Sequence, residues 1–327
     1  PVHRDGQGYV RGYASYLSFD ETLFFRLLTS RRADVYLVEP PPTTAAVVRV
    51  AAWLLGRPFV YDVADLWADA ARATTDSRLV LGALAWIESF ALRGTAHAVT
   101  ISDGVVGRVR ELGLRTPMTV VGFGVDSSQF TYTSADRADR PHLVYAGRYS
   151  EWQGAVVFVD AFAMLKKHHP AARLTFVGNG TERELLEARV AELELKDVHF
   201  ASTVPPSELA PILGQATVAL ASLSPQAGYD YAFCSKVYAP LAVGCPVIFA
   251  GVGPTAPFIK GANEYVIAGL AVDHDVGAVL GAMRRLIERP PTEDDRRRLS
   301  EWTRTHHSVD RVAGRIAKVI EHMRGGR

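Results

Sequence analysis

Residues 231–251 read YAFCSKVYAPLAVGCPVIFAG, a polar loop that runs into a short helix and then directly into a buried strand. Ser235 is the predicted N-cap of the helix, Gly244 ends it, and the apolar run 246–250 predicts a central strand. Pro240 removes one helical hydrogen bond, so the helix is expected to be short or kinked. Joints of this kind are typical of α/β proteins.

Lys236 lies in the first turn of this predicted helix, where a structural preference would place an acidic residue. A helix N-terminus presents free N–H groups and a partial positive charge, to which the lysine adds a full charge. The combination favours an anion as ligand. The alternative is an ordinary helix–strand joint with a solvated lysine.

Strands and helices alternate outward from this stretch in both directions. In the first half we predict strands at 34–38, 58–63, 97–100 and 118–121, and helices at 44–55, 79–92 and from Ser102 to about 112. In the second half we predict strands at 142–145, 173–177, 198–200, 217–221, 246–250 and 265–267, and helices at 155–168, 182–193, 276–288 and about 310–323, with a short one after Ser207. Residues 1–19 have no sustained period and are predicted to form a loop.

The alternation predicts two doubly wound parallel sheets, because short connections between such elements force right-handed crossovers. Residues 127–141 are polar and aperiodic, which is typical of an interdomain linker. We therefore expect a first domain at 1–130 and a second at 131–305. Ligands of open parallel sheets bind beyond the carboxyl ends of the strands, so two such domains would face a cleft.

Composition excludes several functional classes. The 327 residues are 48% hydrophobic and 22% charged, which is ordinary for a globular protein, and the net charge of +1 makes nucleic acid an unexpected partner. No apolar run reaches the roughly 18 residues that a membrane span requires. Cys234 and Cys245 are expected to be free and buried in a reduced, cytoplasmic protein, and no Cys/His spacing predicts a metal site. No leader peptide is visible, and the missing initial Met is compatible with a natural start upstream of Pro1.

Two stretches carry a resemblance to a known family. Residues 235–248, SKVYAPLAVGCPVI, resemble the donor-site segment of GT-B glycosyltransferases of family four, Ser-Lys-x-x-Glu-x-x-Ala-x-Gly-x-Pro-Val-Ile. Residues 144–154, VYAGRYSEWQG, resemble the family's strand–Gly–loop–Gly segment, in which an Arg and a Lys or Gln approach the donor diphosphate. Arg148 suits this role because its fork donates two hydrogen bonds to phosphate oxygens. The alternative is a surface arginine in a loop.

Three further segments are similar to family motifs. Residues 176–182, FVGNGTE, resemble a Gly-Asp-Gly-Pro turn, although a tight turn needs glycine even without a ligand. Residues 58–69, PFVYDVADLWAD, resemble the Asp-Leu-Trp-Pro-Asp segment of bacterial members that modify lipid-linked or cell-surface saccharides. The resemblance implies that Asp65 and Asp69 contact acceptor hydroxyls, and the alternative is a pair of helix caps. Residues 121–126, VGFGVD, resemble the Asn-Gly-Val-Asp end of the first domain.

The resemblance extends from about residue 33 to the C-terminus and implies two Rossmann-like domains in the GT-B fold, with a helix within 306–327 packing back on the first. It implies retaining, metal-independent transfer of a sugar from a nucleotide diphosphate sugar to a saccharide, lipid-linked or small-molecule acceptor, with no other cofactor and with peripheral membrane contact allowed. The implied catalytic residues are Arg148, Lys236 and Asp65. The implied donor-binding residues are Gly147, Arg148, Gln153, Gly178, Asn179, Tyr231, Ser235, Lys236, Tyr238 and Ala239.

The chain departs from the family pattern at two positions in particular. The family's paired glutamates, eight positions apart, fall at Tyr231 and Ala239. Since the second glutamate accepts hydrogen bonds from ribose in the family, Ala239 favours a deoxyribose donor of the thymidine type over a uridine donor, and the choice stays open. The first strand and glycine-rich loop of the first domain are also not recognisable. An inert nucleotide-sugar-binding subunit and a GT-B sugar-nucleotide epimerase are the alternative functions.

Overall fold

The computed structural model describes residues 13–72, 75–134, 140–225 and 228–325. It divides into two compact units, one comprising Pro1–Gly122 with Ala313–Arg327 and the other Phe123–Val312. Within the described ranges the first unit contains strands β1 (Tyr36–Val38), β2 (Phe59–Val63), β3 (His97–Thr100) and β4 (Met118–Val120), and helices α1 (Tyr13–Thr29), α2 (Pro42–Leu55), α3 (Trp67–Ala71), α4 (Arg78–Gly94) and α5 (Asp103–Glu111).

The second unit contains strands β5 (His142–Ala146), β6 (Arg173–Val177), β7 (Val198–Ala201), β8 (Val218–Leu223), β9 (Val247–Gly251) and β10 (Gly269–Val272). Its helices are α6 (Val156–Leu165), α7 (Arg183–Glu192), α8 (Pro206–Gln215), α9 (Tyr238–Ala242), α10 (Thr255–Ala262), α11 (Val276–Glu288), α12 (Glu293–His307) and the start of α13 (Val309–Gly325). Short 3-10 segments occur at Glu151–Gln153 and Ser235–Val237.

The two sheets are parallel throughout, as predicted. In the first unit the strand order is β1-β2-β3-β4, and in the second it is β10-β9-β8-β5-β6-β7. The second order reverses at β5, which pairs with β6 on one side and β8 on the other, so this sheet is doubly wound. Successive residues of β5 enter different core clusters, Val144 on one face and Leu143 and Tyr145 on the other. Helices therefore cover both faces of this sheet.

The loop predicted at 1–19 is wrong for residues 13–19, because helix α1 begins at Tyr13. Residues 1–12 lie outside the described part of the chain. Tertiary packing explains this helix, since α1 packs against α2. A side-chain bond joins the two helices, in which Thr44 donates to the buried carboxylate of Asp20 at 2.5 Å.

The strand predicted at 265–267 is wrong, and the strand that pairs with β9 is β10, four residues later. A turn built by Asn263 causes the displacement. Its side-chain oxygen accepts from the backbone N–H of Ala268 at 2.9 Å, and its amide donates to the carbonyl of Gly269 at 2.9 Å. An apolar run therefore forms the turn before the strand.

Helix α12 was not predicted, because its sequence is mostly charged. A capping box between Thr292 and Asp295 starts it. Arg296 is buried and donates to the carbonyls of Gly214 and Ala216, both at 3.0 Å. Long-range contacts to carbonyl groups hold this helix, which local periodicity does not reveal.

In the sequence, the chain passes from the first unit to the second between Gly122 and Phe123 and returns between Val312 and Ala313. These boundaries differ from the expected ones at 130/131 and 305/306. Val125 explains the first difference, since its N–H donates to His307 at 2.9 Å and its carbonyl accepts from Val309 at 3.0 Å. The later part of α13 belongs with the first unit, where Arg315 donates to the carbonyl of Val121 at 2.8 Å. Among the described residues, no helix has the length and apolar character needed to cross a bilayer.

Candidate functional site

The carboxyl ends of β5 and β8 lie side by side at the point where the strand order of the second unit reverses, the place where open α/β sheets bind ligands. Gly147 and Arg148 directly follow β5, and Lys236 lies in the segment that connects β8 to α9. A Cβ atom added to Gly147, which has φ +135°, would lie 2.6 Å from Cε of Lys236. The lysine side chain therefore packs directly on the glycine, and the structure brings these predicted residues together.

Burial lowers the pKa of Lys236, and the positive charge of Arg148 lowers it further. The positive charge of Arg148 acts on the lysine from the loop after β5, while burial raises the pKa of the neighbouring Cys234 thiol. A partly buried lysine and an exposed arginine are thus close enough for their positive charges to interact. An anion bound between them would offset both the repulsion and the loss of water, so this arrangement favours a phosphate group as ligand.

The turn after β6 supports the loop after β5 through backbone contacts. Gly178 has φ +139°, and a Cβ atom there would lie 2.1 Å from the carbonyl oxygen of Gly147. A Cβ atom at Gly180 would lie 2.1 Å from the carbonyl oxygen of Tyr149. Asn179 accepts from the N–H of Gly180 at 2.9 Å, within its own turn. The structure thus supplies a packing reason for both glycines, which favours the structural alternative for this turn.

Gln153 is 8% exposed, and its side-chain oxygen accepts from the hydroxyl of Tyr145 at 2.7 Å. The same hydroxyl lies 3.3 Å from the carbonyl oxygen of Arg148. The glutamine, predicted to contact the donor, is instead part of the internal bonding that fixes the loop carrying Arg148. Both partners come from one strand–loop segment, but the sequence does not show which side chain turns inward.

Thr255, the first residue of α10, is a positioning residue that the sequence analysis missed. It is fully buried, and its hydroxyl accepts from the N–H of Cys234 at 2.8 Å. This bond fixes the backbone two residues before Lys236. The Gly-Val-Gly-Pro run at 251–254, which ends β9 and leads into Thr255, was the available signal. Cys234 and Cys245 are free and buried, as predicted.

The helix that follows Lys236 is short, as Pro240 predicted, with the five residues of α9 preceded by a 3-10 segment. Gly244 has φ +75° and ends it, also as predicted. The N-cap prediction is wrong, because Ser235 is the exposed first residue of the 3-10 segment and Cys234 occupies the cap position. Since these segments are so short, the case for an anion depends on the two cations rather than on a helix dipole.

Tyr238 is 3% exposed and belongs to the core, which corrects its assignment to donor binding. Its ring stacks on Phe123 at 5.7 Å and on Phe233 at 5.4 Å. Ala239 is partly buried against the same core cluster. Tyr231 is partly buried, with its ring 5.4 Å from that of Tyr229.

In the first unit, Asp69 is buried in a two-bond ion pair with Arg108, with N–O distances of 2.7 and 3.0 Å. This pairing replaces the acceptor contact that the resemblance implied for Asp69. Asp65 follows β2 and is partly buried. Leu66 occupies the N-cap position of α3, and Glu88 of α4 accepts from the N–H of Trp67 at 2.8 Å. In the described residues no group of three or more His, Cys, Asp or Glu side chains is placed to hold a metal ion.

Glu88 makes the stability of the first unit depend on pH. Burial raises its pKa from 4.5 to about 7, while the bonds from Trp67 and Ala68 oppose the rise. The folded chain therefore holds this proton more tightly than the unfolded chain, so the stabilisation decreases as pH rises from about 4.5 to about 7. We expect Glu88→Gln to reduce the decrease of the unfolding free energy with rising pH, measured by urea unfolding at several pH values. The exposed control Glu264→Gln is expected to leave this pH dependence unchanged. An unaltered slope in the Glu88 variant would contradict the assignment.

Replacing Arg148 with alanine is expected to weaken nucleoside diphosphate binding by about 1.5–3 kcal/mol, the scale of a hydrogen bond to a charged group. The side chain is exposed, so the fold is expected to tolerate the change. Isothermal titration calorimetry measures the effect, with Arg284→Ala on α11 as a matched control. Equal affinity in the Arg148 variant and the wild type would remove this residue from the site.

Comparison with known families gives matches along nearly the whole chain. The family Glycosyl transferases group 1 matches residues 133–306, and the Glycosyl transferase 4-like domain matches residues 1–124. Glycogen synthase of Mycobacterium tuberculosis is 26% identical over 271 residues, which cover 77% of this chain and 62% of that protein. D-inositol 3-phosphate glycosyltransferase of Pseudarthrobacter chlorophenolicus is 29% identical over 228 residues, which cover 60% of this chain and 52% of that protein. The chain thus spans less than two thirds of the length of these relatives.

Solved structures with the same fold include sucrose-phosphate synthase from Thermosynechococcus elongatus, with a TM-score of 0.74 at 18% identity over 98% of this chain and 82% of that one. HepE from Anabaena, solved in complex with UDP-glucose, has a TM-score of 0.72 at 16% identity, and the match covers 94% of this chain and 81% of that one. These similarities confirm the α/β GT-B fold that the resemblance implied. At such identities they establish the fold alone.

Proposed function

The chain belongs to the glycosyl transferases group 1 family, and from this premise we propose that it transfers a sugar from a nucleotide diphosphate sugar to an acceptor hydroxyl group. The observation that carries the proposal is the packing of Lys236 on Gly147 beside Arg148, at the switch point of a doubly wound sheet. The solved complex of HepE with UDP-glucose supports a ligand of this class.

In the proposed reaction the bond between the sugar C1 and the diphosphate oxygen breaks, a bond forms from C1 to the acceptor oxygen, and the departing diphosphate takes up the proton that the acceptor hydroxyl loses. Negative charge develops on the departing diphosphate, and Lys236 and Arg148 stabilise it. Fixed cations supply the compensation that a metal ion provides in other phosphate chemistry, so we propose a metal-independent reaction. We further propose that the reaction retains the configuration at C1 and that Asp65 contacts the acceptor hydroxyl. The proposed acceptor is a saccharide, a lipid-linked molecule or a small molecule.

The donor is proposed to carry deoxyribose. The side chain at Ala239 is a methyl group, which accepts no hydrogen bond from a ribose hydroxyl. A buried hydroxyl without a partner costs about 1–3 kcal/mol, so a ribose donor is disfavoured by about tenfold or more. Thymidine diphosphate is therefore expected to bind more tightly than uridine diphosphate in side-by-side calorimetric titrations. Preference for uridine diphosphate would overturn this part of the proposal and leave sugar transfer intact.

Incubation of the full chain with a panel of nucleotide diphosphate sugars tests the reaction, with release of the nucleoside diphosphate as the readout. Release that requires an acceptor supports the proposal. Binding without turnover would favour an inert nucleotide-sugar-binding subunit, the second candidate, for which the non-acidic Tyr231 and Ala239 are the supporting observation. Conversion of the sugar without release would identify an epimerase.

A further inference from the structure

Helices α2 and α4 of the first unit turn large apolar side chains toward solvent. Helices at a protein surface normally turn polar residues outward. Trp53 on α2 is 75% exposed, and Leu79 and Trp86 on α4 are 87% and 67% exposed. The other members of this surface, which we name the α2/α4 face, are Val50, Leu54 and Val80.

The α2/α4 face is continuous across the two helices. The helices pack against each other, and Val50, Trp53 and Phe90 line one surface pocket of about 490 Å³ between them. The ring of Phe90 stacks on that of Trp86, with centroids 5.6 Å apart and planes inclined by 17°. The two tryptophans are thus parts of one continuous apolar surface and are not two separate exposed side chains.

The exposed charged side chains on the two helices of this face are arginines, and the exposed Asp76 precedes α4 by two residues. The guanidinium of Arg49 lies 3.9 Å from the centre of the Phe90 ring, and Arg78 and Arg93 are exposed on α4. The only acidic residue on either helix is Glu88, which is buried and bonded to Trp67. The exposed part of α2 and α4 therefore combines large apolar groups with arginines and has no carboxylate.

We propose that the α2/α4 face docks the protein onto an anionic membrane surface. Tryptophan rings settle at the level of lipid headgroups, where one side is apolar and the other is wet. The arginines meet the headgroup phosphates, and the attraction of cations to anionic lipid adds to the apolar burial. Since no described helix is able to cross a bilayer, this contact is peripheral. The proposal stands independently of sugar transfer.

Co-sedimentation of the full chain with vesicles tests this docking. Wild type is expected to bind vesicles made of equal parts phosphatidylcholine and phosphatidylglycerol, and to bind pure phosphatidylcholine more weakly. The double variant Trp53→Ala, Trp86→Ala is expected to lose about tenfold or more of the partition coefficient, since both rings leave water on docking. Arg78→Gln combined with Arg93→Gln is expected to reduce the preference for the anionic vesicles.

The exposed Tyr265 of the second unit, 66% exposed, provides the matched control Tyr265→Ala, which is expected to bind as wild type. Thermal unfolding checks that each variant is folded. Because the substituted side chains are exposed, the melting temperatures are expected to equal that of the wild type. Equal vesicle binding by wild type and the double tryptophan variant would overturn the proposal. So would a wild type that binds no vesicles but forms dimers that the double variant abolishes, because the face would then bind a second copy of the chain.

Discussion

Lys236→Met is expected to lower kcat for sugar transfer by about 10²–10³-fold, the scale of removing one preorganised group that stabilises developing negative charge. Methionine keeps an apolar chain against Gly147 and removes the charge. Because burial already lowers the pKa of the lysine, replacing it by an apolar residue is expected to leave the melting temperature unchanged or higher.

The exposed lysine at the end of α10 supplies the control, Lys260→Met, which is expected to keep wild-type kcat. Steady-state assays of nucleoside diphosphate release measure both variants. Full activity in Lys236→Met would show that this lysine does not stabilise the leaving group. A low melting temperature together with low activity would point to a structural role instead.

Gly178→Ala is expected to destabilise the second unit by about 3 kcal/mol or more, since it combines a strained backbone with overpacking. The glycine has φ +139°, and the added Cβ atom would lie 2.1 Å from the carbonyl oxygen of Gly147. The loop that carries Arg148 has to move in response, so activity is expected to fall as well.

The matched control for this prediction is Gly281→Ala in the middle of α11, where an added Cβ atom meets nothing within 4 Å. There the change is expected to stabilise the helix by about 0.5–1 kcal/mol. Urea unfolding followed by tryptophan fluorescence compares the two variants. Similar unfolding free energies for both would contradict the packing that links the turns after β5 and β6.

Local pattern was sufficient where one segment determines its own structure. Strands β3 and β6 and helix α11 have the predicted bounds, because each is a short periodic run between turn residues. Helix α12 was missed because long-range contacts decide it. Its buried Arg296 bonds to carbonyls about eighty residues earlier in the chain.

The same distinction applies to the candidate site. Gly147, Arg148 and Lys236 were predicted together because the family resemblance implied them, and the structure brings Gly147 and Lys236 into contact beyond the carboxyl ends of parallel strands. The core position of Tyr238 and the ion pair of Asp69 with Arg108 were not, since each depends on partners distant in the chain. Sequence motifs thus located the edge of the sheet, and packing decided which side chains remain available there.

The central claim is that nucleoside diphosphates bind at the carboxyl edge of the second sheet, and hydrogen–deuterium exchange of the full chain tests it most directly. Exchange is compared with and without saturating thymidine or uridine diphosphate. We predict slower exchange in peptides covering 147–154 and 229–237, where Arg148 and Lys236 lie, and unchanged exchange in α8 and α11. Bound nucleotide that leaves both peptides unprotected, or protects only other segments, would contradict the claim.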